Sequence, residues 1–184
     1  MNSAVCMLED AAEKFGAKTA IVDEVSEISF RDLRENARKV GAFINSLDVS
    51  SAPVVVYMKK SLDCIVAFMG VLYSGRAYVP VAADMPVSRV EKIISNLNPS
   101  CIIADGQCMG TLNDSGLYLP ETHLFDEAAA FEGDAGVVDG IVAGVIDTDP
   151  IYIMYTSGST GTPKGVEITA GSLLNLAQAM APVY

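Results

Sequence analysis

Twelve residues near the end of the chain, 155–166, combine the side chains and backbone that phosphate groups need. Their sequence is YTSGSTGTPKGV, with five serine or threonine hydroxyls, three glycines and one lysine. Glycine lets the backbone turn so that several N–H groups face one anion, and Lys164 adds a mobile ammonium group. Pro163 stiffens the approach to that lysine, because its ring fixes φ and favours an extended residue before it. The predicted phosphate-binding residues are Thr156, Ser157, Gly158, Ser159, Thr160, Gly161, Thr162, Pro163, Lys164 and Gly165.

Two other interpretations of this segment can be tested on the sequence. A flexible linker requires only its Ser, Thr and Gly content, which explains neither Pro-Lys-Gly nor the apolar strand before it. The P-loop of kinases and ATPases requires Gly-Lys-Ser/Thr, whereas Lys164 stands between Pro163 and Gly165. We therefore expect a triphosphate site of a different kind.

The composition of the chain restricts its partners. The 184 residues are 51% hydrophobic, enough for one or two packed units, and their net charge of −11 argues against a nucleic-acid or anionic-membrane surface. Charge repulsion of ATP is screened beyond about 8 Å at physiological salt, so local donors and Mg²⁺ should prevail. The longest apolar run, 64–73, is shorter than the roughly 20 residues of a membrane span. Acidic residues precede the first basic one, unlike a secretory signal, and we expect a cytoplasmic location.

The cysteines and the histidine suggest no catalytic or metal site. Four cysteines, at positions 6, 64, 101 and 108, lack the spacing of a zinc site and the density of a disulfide scaffold. We predict that they are reduced and mostly buried. The one histidine, His123, has no nucleophile or ligand pattern around it, and we predict a surface or loop position for it.

Apolar spacing predicts alternating strands and helices. Val54, Val55 and Val56 form a continuous apolar run, which is typical of a strand buried on both faces of a parallel sheet. Ser29 is a predicted N-cap, and the residues that follow it repeat at helical spacing: Leu33, Ala37, Val40, Ile44 and Leu47. Helices are predicted over 3–15, 29–47, 61–74 and 86–97, and strands over 19–22, 27–30, 53–58, 77–81 and 101–104. This order indicates an α/β fold.

The second half of the chain has weaker signals. Residues 105–116 are rich in Gly, Asn and Asp and are predicted to form a turn or loop. We predict a short strand at 117–119, a helix near 125–131, and either strand or helix at 137–146. A break at 147–150 precedes a strand at 151–155, and 172–184 is predicted to be an apolar helix.

The segment YTSGSTGTPKGV resembles the phosphate-loop motif of the adenylate-forming superfamily, which includes acyl-CoA synthetases, luciferases and peptide-synthetase adenylation domains. Residues 28–44, ISFRDLRENARKVGAFI, and residues 70–94, GVLYSGRAYVPVAADMPVSRVEKII, are similar to two upstream blocks of that family. The second block is more similar to the amino-acid-activating branch, including D-alanine–carrier-protein ligases. Ala82-Ala83 stands where that branch usually has Asp-Pro, and Ala170 where many members have histidine. The residues of the second block that resemble this branch are Gly75, Ala77, Tyr78, Pro80, Pro86 and Arg89.

The resemblance implies the N-terminal portion of the adenylate-forming fold, a mostly parallel sheet flanked by helices. It also implies ATP and Mg²⁺ as cofactors, acyl-adenylate formation from a carboxylate, most simply an amino acid, and transfer to a carrier-protein phosphopantetheine thiol. Residues 156–164 would embrace the β- and γ-phosphates, with Thr160 and Lys164 as the strongest single residues and Lys164 catalytic. The alternatives are an acyl-CoA synthetase-type ligase and a non-catalytic docking module.

The same resemblance gives an expected domain organisation. Residues 1–184 would be the N-terminal part of the large domain of an adenylation enzyme. Residues 1–147 would form its strand and helix core, and 148–184 a strand, the phosphate loop and a following helix. The adenine, ribose and substrate contacts of the family would lie beyond this chain, in a remainder that is absent. We therefore expect the chain to be truncated and to be inactive by itself.

Overall fold

The computed structural model describes residues 3–117, 119–156 and 163–180, which alternate between helices and strands. The helices are α1 (Ala4–Phe15), α2 (Phe30–Ser46), α3 (Leu62–Tyr73), α4 (Val87–Leu97), α5 (Gly106–Ser115), α6 (Phe125–Ala129), α7 (Val137–Gly144) and α8 (Ala170–Met180). The strands are β1 (Thr19–Val22), β2 (Glu27–Ser29), β3 (Val54–Met58), β4 (Tyr78–Ala82), β5 (Ile102–Ala104), β6 (Thr122–Leu124), β7 (Pro150–Thr156) and β8 (Lys164–Thr169).

Six strands form one sheet in the order β6-β5-β3-β4-β7-β8. All neighbouring pairs are parallel except β7 and β8, which are antiparallel. Strands β1 and β2 form a separate antiparallel pair. The predicted α/β class with a mostly parallel sheet is therefore confirmed.

Side-chain alternation along β3 divides the interior into two cores. Val54, Val56 and Met58 face a core that includes residues of α1, α2 and α3. Val55 and Tyr57 face the opposite core, to which α4 and α5 contribute. All five residues of β3 are buried, because helices cover both faces of the strand. The prediction from the Val54–Val56 run is confirmed.

Helix α2 begins where the sequence predicts. The Ser29 hydroxyl accepts a hydrogen bond from the Asp32 N–H at 3.1 Å, which satisfies one of the free donors of the first turn. Of the predicted apolar stripe, Leu33, Ala37, Val40 and Ile44 are buried.

The loop prediction for 105–116 is wrong, because these residues form α5. The Asp105 carboxylate caps the helix by accepting the Cys108 N–H at 2.8 Å. Cys108 and Leu112, four residues apart, share the buried side of the helix. Gly116 ends it with a φ of 66°. The Asp and Gly that suggested a loop are the two caps of this helix.

Two other predictions in the second half of the chain need correction. Leu117 and Leu119 are not in a strand, and the strand of this region is β6, which pairs with β5. The ambiguous segment 137–146 is the helix α7. His123 lies in β6 rather than in a loop, with its ring edge-on to Phe43 at a centroid distance of 5.1 Å.

The thiols have the predicted state. Cys64, Cys101 and Cys108 are buried, Cys6 is half-buried, and all four are free. Burial raises the pKa of Cys64 and of Cys101 to about 11. Within the described ranges, no helix is long and apolar enough to cross a membrane.

Helices α2 and α3 approach each other closely at two glycines. A Cβ on Gly41 would lie 2.7 Å from the Tyr73 Cβ and 2.9 Å from the Gly70 carbonyl oxygen. A Cβ on Gly70 would collide with the side chain of Val40. The close contact between α2 and α3 is therefore possible only because Gly41 and Gly70 have no side chain.

We predict that Gly41→Ala lowers the free energy of unfolding by about 1–2 kcal/mol, since overpacking outweighs the gain in helix propensity. Gly110→Ala in α5 is the matched control, because a Cβ there would meet no atom within 4 Å. We expect that control to raise stability by about 0.5–1 kcal/mol. Urea denaturation of both variants is the measurement. Equal effects of the two alanines would show that the close approach is not a constraint.

Asp23 joins the β1–β2 turn to the start of α3. One carboxylate oxygen accepts the N–H groups of Val25 and Ser26 at 2.9 and 2.8 Å, and the other accepts the Leu62 N–H at 2.9 Å. These bonds, with the Leu62 N–H the most important, lower the pKa of Asp23 to about 2.

We predict that this carboxylate makes stability depend on acid pH. Because its folded-state pKa is below its ordinary value, its contribution is complete above about pH 4 and is lost as the pH falls towards 2. Asp23→Asn should therefore be less stable than the wild type at pH 5, and the difference should shrink by pH 2.5. Urea denaturation at the two pH values tests this, and a difference that stays constant would contradict it.

Candidate functional site

Strands β7 and β8 form a hairpin around the predicted phosphate loop. Thr156 is the last residue of β7, Lys164 is the first of β8, and their Cα atoms are partners in the antiparallel register. Side chains of such partners leave the same face, with Cβ atoms roughly 4.5–5.5 Å apart. Both side chains are exposed. A hydroxyl and an ammonium thus stand side by side where the loop begins and ends.

The other predicted site residues divide into two groups. Pro163 is buried immediately before β8, where its missing N–H leaves no strand ladder incomplete, and Gly165 is exposed within β8. The following six lie outside the described residues: Ser157, Gly158, Ser159, Thr160, Gly161 and Thr162.

The end of β7 lies at the carboxyl end of the sheet. Strand β7 runs parallel to β4, so Thr156 lies at the same edge as the ends of β3, β4 and β5. Ligands of open α/β sheets bind outside this edge. Other charged residues follow the strands there, namely Lys59, Lys60, Asp84 and Asp105.

Between the ends of β3 and β5, a carboxylate of the protein, that of Asp105, occupies the position where a ligand anion would be expected. The chain leaves β3 towards β4 and leaves β5 towards β6, on opposite sides, and such a crevice is the usual ligand position. Here the Asp105 carboxylate accepts the Lys59 N–H at 2.8 Å as well as the Cys108 N–H. Burial opposes ionisation of Asp105, but these donors hold its pKa below the ordinary value. Because Asp105 already accepts these two N–H groups, they are not free to bind a phosphate, and the hairpin is the better anion site.

The outer half of the hairpin is attached to the body mainly through side chains. In the described ranges, the parallel ladder between β4 and β7 is the single pair Tyr78 and Tyr152. Beyond it, Ile153 is buried, and the Tyr155 hydroxyl donates to the Asn96 Oδ1 in α4 at 2.8 Å. Sequence reasoning identified neither Asn96 nor strand β8. The alternation of Val166 and Ile168 with polar residues was an available signal for β8.

A second group of polar residues occupies a groove beside α1, α2 and α7. Arg38 donates to the Glu9 carboxylate at 3.1 Å and to the Asp139 carboxylate at 2.6 Å. The Tyr73 hydroxyl also donates to Glu9, at 2.6 Å. Each charge in this network has an opposite partner, so the network ties four helices together, α1, α2, α3 and α7, and needs no ligand. In the described part of the chain, no group of three His, Cys, Asp or Glu residues is placed to hold a metal ion.

Comparison with known proteins agrees with this geometry. The family model described as AMP-binding enzyme matches residues 8–184. A D-alanine–D-alanyl carrier protein ligase from Listeria monocytogenes is 37% identical over 153 residues, 82% of this chain and 29% of the ligase. A plipastatin synthase subunit from Bacillus subtilis is 30% identical over 182 residues, which is 97% of this chain and 7% of the synthase.

Comparison with solved structures concerns the fold. The structure of VinN with 3-methylaspartate superposes with a TM-score of 0.81, at 20% sequence identity, over 99% of this chain and 52% of VinN. At that identity the likeness concerns the fold alone. The chain therefore spans only part of the length of each of these proteins.

Proposed function

We propose that the complete protein that carries this chain activates an amino acid with ATP. The chain belongs to the AMP-binding enzyme family, whose model matches residues 8–184. The product would be an aminoacyl-adenylate, and the acyl group would pass to the phosphopantetheine thiol of a carrier protein. The observation that supports a phosphate site is the pairing of exposed Thr156 and Lys164 across the loop. The preference for an amino acid rests on the relatives named as a D-alanyl carrier protein ligase and a plipastatin synthase.

In the proposed first step, a carboxylate oxygen forms a bond to the α-phosphorus of ATP, and the bond to the β-phosphate oxygen breaks. Negative charge accumulates on the leaving pyrophosphate. Lys164, the Thr156 hydroxyl and the N–H groups of the loop would neutralise that charge, a contribution of positioning and electrostatics. In the second step, the carrier thiol would attack the acyl carbon and AMP would leave.

Mg²⁺ would neutralise part of the triphosphate charge. This ion is held largely by substrate phosphates and water, with one or two protein oxygens. The exposed Thr156 hydroxyl is an oxygen of that kind at the start of the loop. The Lys164 ammonium, its cross-strand partner, would act on phosphate oxygens that the ion leaves free.

ATP–pyrophosphate exchange by the complete protein tests the proposal. The substrate panel should contain amino acids, including D-alanine, and fatty acids. Exchange that depends on an amino acid supports the proposal, and exchange with fatty acids alone indicates the acyl-CoA synthetase-type alternative. No exchange with any carboxylic acid would leave the docking module as the function.

We predict that Lys164→Ala lowers kcat/KM for ATP by about 10- to 1000-fold, roughly 1.4 to 4 kcal/mol of lost transition-state stabilisation. The free energy of unfolding should stay within about 0.5 kcal/mol, since the side chain is exposed. Lys14→Ala in α1 removes the same charge from an exposed position and is the control. Steady-state kinetics and a melting curve decide. Wild-type activity in Lys164→Ala, or its unfolding, would refute the assigned role.

We also predict that residues 1–184 alone show no amino-acid-dependent exchange. The chain spans 29% of the length of the ligase that it resembles, and the family's adenine and substrate contacts are expected outside it. The same assay on the isolated chain, with the complete protein as positive control, measures this. Exchange by the isolated chain would place the missing contacts within these residues.

A further inference from the structure

The backbone ladder between the hairpin and the rest of the sheet is interrupted before the phosphate loop. The ladder between β4 and β7 ends at Tyr152, among the described residues, and four residues of β7 follow it. On its other side, β7 pairs with β8 along its length, and β8 is the last strand of the sheet. Pro80, two residues after Tyr78 in β4, has no N–H to donate, and Ile153 of β7 packs with Val79 and Val81 in the second core. The outer part of the hairpin, which we call the arm, therefore has no further ladder pair with β4 in the described ranges and is held there by side-chain packing.

Tyr155 attaches this arm to the body of the protein. Its ring packs against the second core, and its hydroxyl donates to the Asn96 Oδ1 at 2.8 Å. Burial raises the pKa of Tyr155 above its ordinary value, so the hydroxyl keeps the proton that it donates. The side chain lies one residue before Thr156, at the root of the phosphate loop.

Gly165 provides the space for this contact. It is the cross-strand partner of Tyr155, and a Cβ on Gly165 would lie 3.3 Å from the Tyr155 Cζ and 2.9 Å from the Ile153 Cγ2. The Tyr155 ring therefore lies over Gly165 and contacts both strands of the arm, β7 and β8. Thr156 follows Tyr155 and Lys164 precedes Gly165, so a shift of the ring would move both ends of the loop.

The acceptor Asn96 is held on a rigid element. It lies in the last turn of α4, which is packed into the second core through Val90, Ile93 and Ile94. A hydrogen bond to Asn96 consequently fixes the arm relative to the sheet. It adds to the side-chain packing that holds the arm where the described ladder with β4 has no further pair.

The geometry points to Tyr155 as a positioning residue, whose hydrogen bond to Asn96 holds the strand ends flanking the phosphate loop in register with the rest of the ATP site. This inference rests on the proposed function and adds a residue that acts through the loop rather than on the substrate. Because the bond sets the average position of the arm, its loss should weaken ATP binding more than it slows the bound enzyme.

The test uses paired variants of the complete protein in ATP–pyrophosphate exchange. We expect Tyr155→Phe and Asn96→Leu each to raise KM for ATP about 3- to 10-fold, with kcat within twofold, and the double variant to resemble either single one. Asn96→Asp keeps an acceptor oxygen and should behave like the wild type. Tyr152→Phe, on the same strand, is the control for loss of a tyrosine hydroxyl. Melting temperatures should stay within about 2 °C.

Hydrogen–deuterium exchange gives a readout that does not need activity. Amides of residues 164–168 should exchange several-fold faster in Tyr155→Phe and Asn96→Leu than in the wild type and in Asn96→Asp. Faster exchange together with a raised KM supports the inference. Faster exchange with an unchanged KM overturns it, as does an unchanged exchange rate.

The outcomes also separate this inference from the function beneath it. If the wild type is active and Lys164→Ala is impaired while Tyr155→Phe has normal kinetics, the positioning role alone is wrong. If the wild type shows no ATP-dependent exchange, the proposed function fails and the positioning role fails with it. If activity falls only in proportion to melting temperature, the bond is structural and the inference is overturned.

Discussion

The burial of β3 between two parallel neighbours constrains the rest of the structure. All five of its residues are buried, so each N–H and C=O must bond within the sheet. Parallel neighbours require crossover connections, and these place helices on both faces. The close contact of α2 with α3 at Gly41 and Gly70 follows from this demand for covered faces. The same parallel arrangement brings the carboxyl ends of β3, β4, β5 and β7 to one edge, where the candidate site lies.

The parts of this fold that were predicted correctly are those where burial dictates residue type. Val54 to Val56 predicted the central strand, and Ser29 with the stripe from Leu33 to Ile44 predicted α2, because two-sided or one-sided burial leaves a periodic signal. Helix α5 buries only Cys108 and Leu112 and was missed. Strand β8 pairs on one side and is mostly exposed, so its short alternation was outweighed by the motif before it.

The sequence predicted the phosphate-loop residues of the candidate site but not the contact that holds them against the sheet. The types and spacing of residues 155–166 predicted phosphate binding, since glycines let backbone N–H groups face one anion and the hydroxyls and lysine add further donors. The contact between Tyr155 and Asn96 joins residues 59 positions apart, and an exposed Asn near the end of a helix has no periodicity. Pairings of this kind depend on how α4 packs beside β7, which follows from three-dimensional packing and not from local sequence.

The strand that follows the loop changes how the anion charge must be balanced. In P-loops and dinucleotide-binding folds, the phosphate faces a helix N-terminus, whose aligned peptide dipoles amount to about half a positive charge. Here the residues after the loop form β8, and a strand has almost no net dipole. Under the proposed function, the charge of a triphosphate would then be met by Lys164, by hydroxyl and N–H donors of the loop, and by Mg²⁺. Five hydroxyls within one short segment are understandable on this basis, because dipoles of side chains replace those of a helix. Hydroxyls and backbone donors are effective only at hydrogen-bond distance, so a loop of this type depends more strongly on the position of its two strand ends than a helix-based loop does.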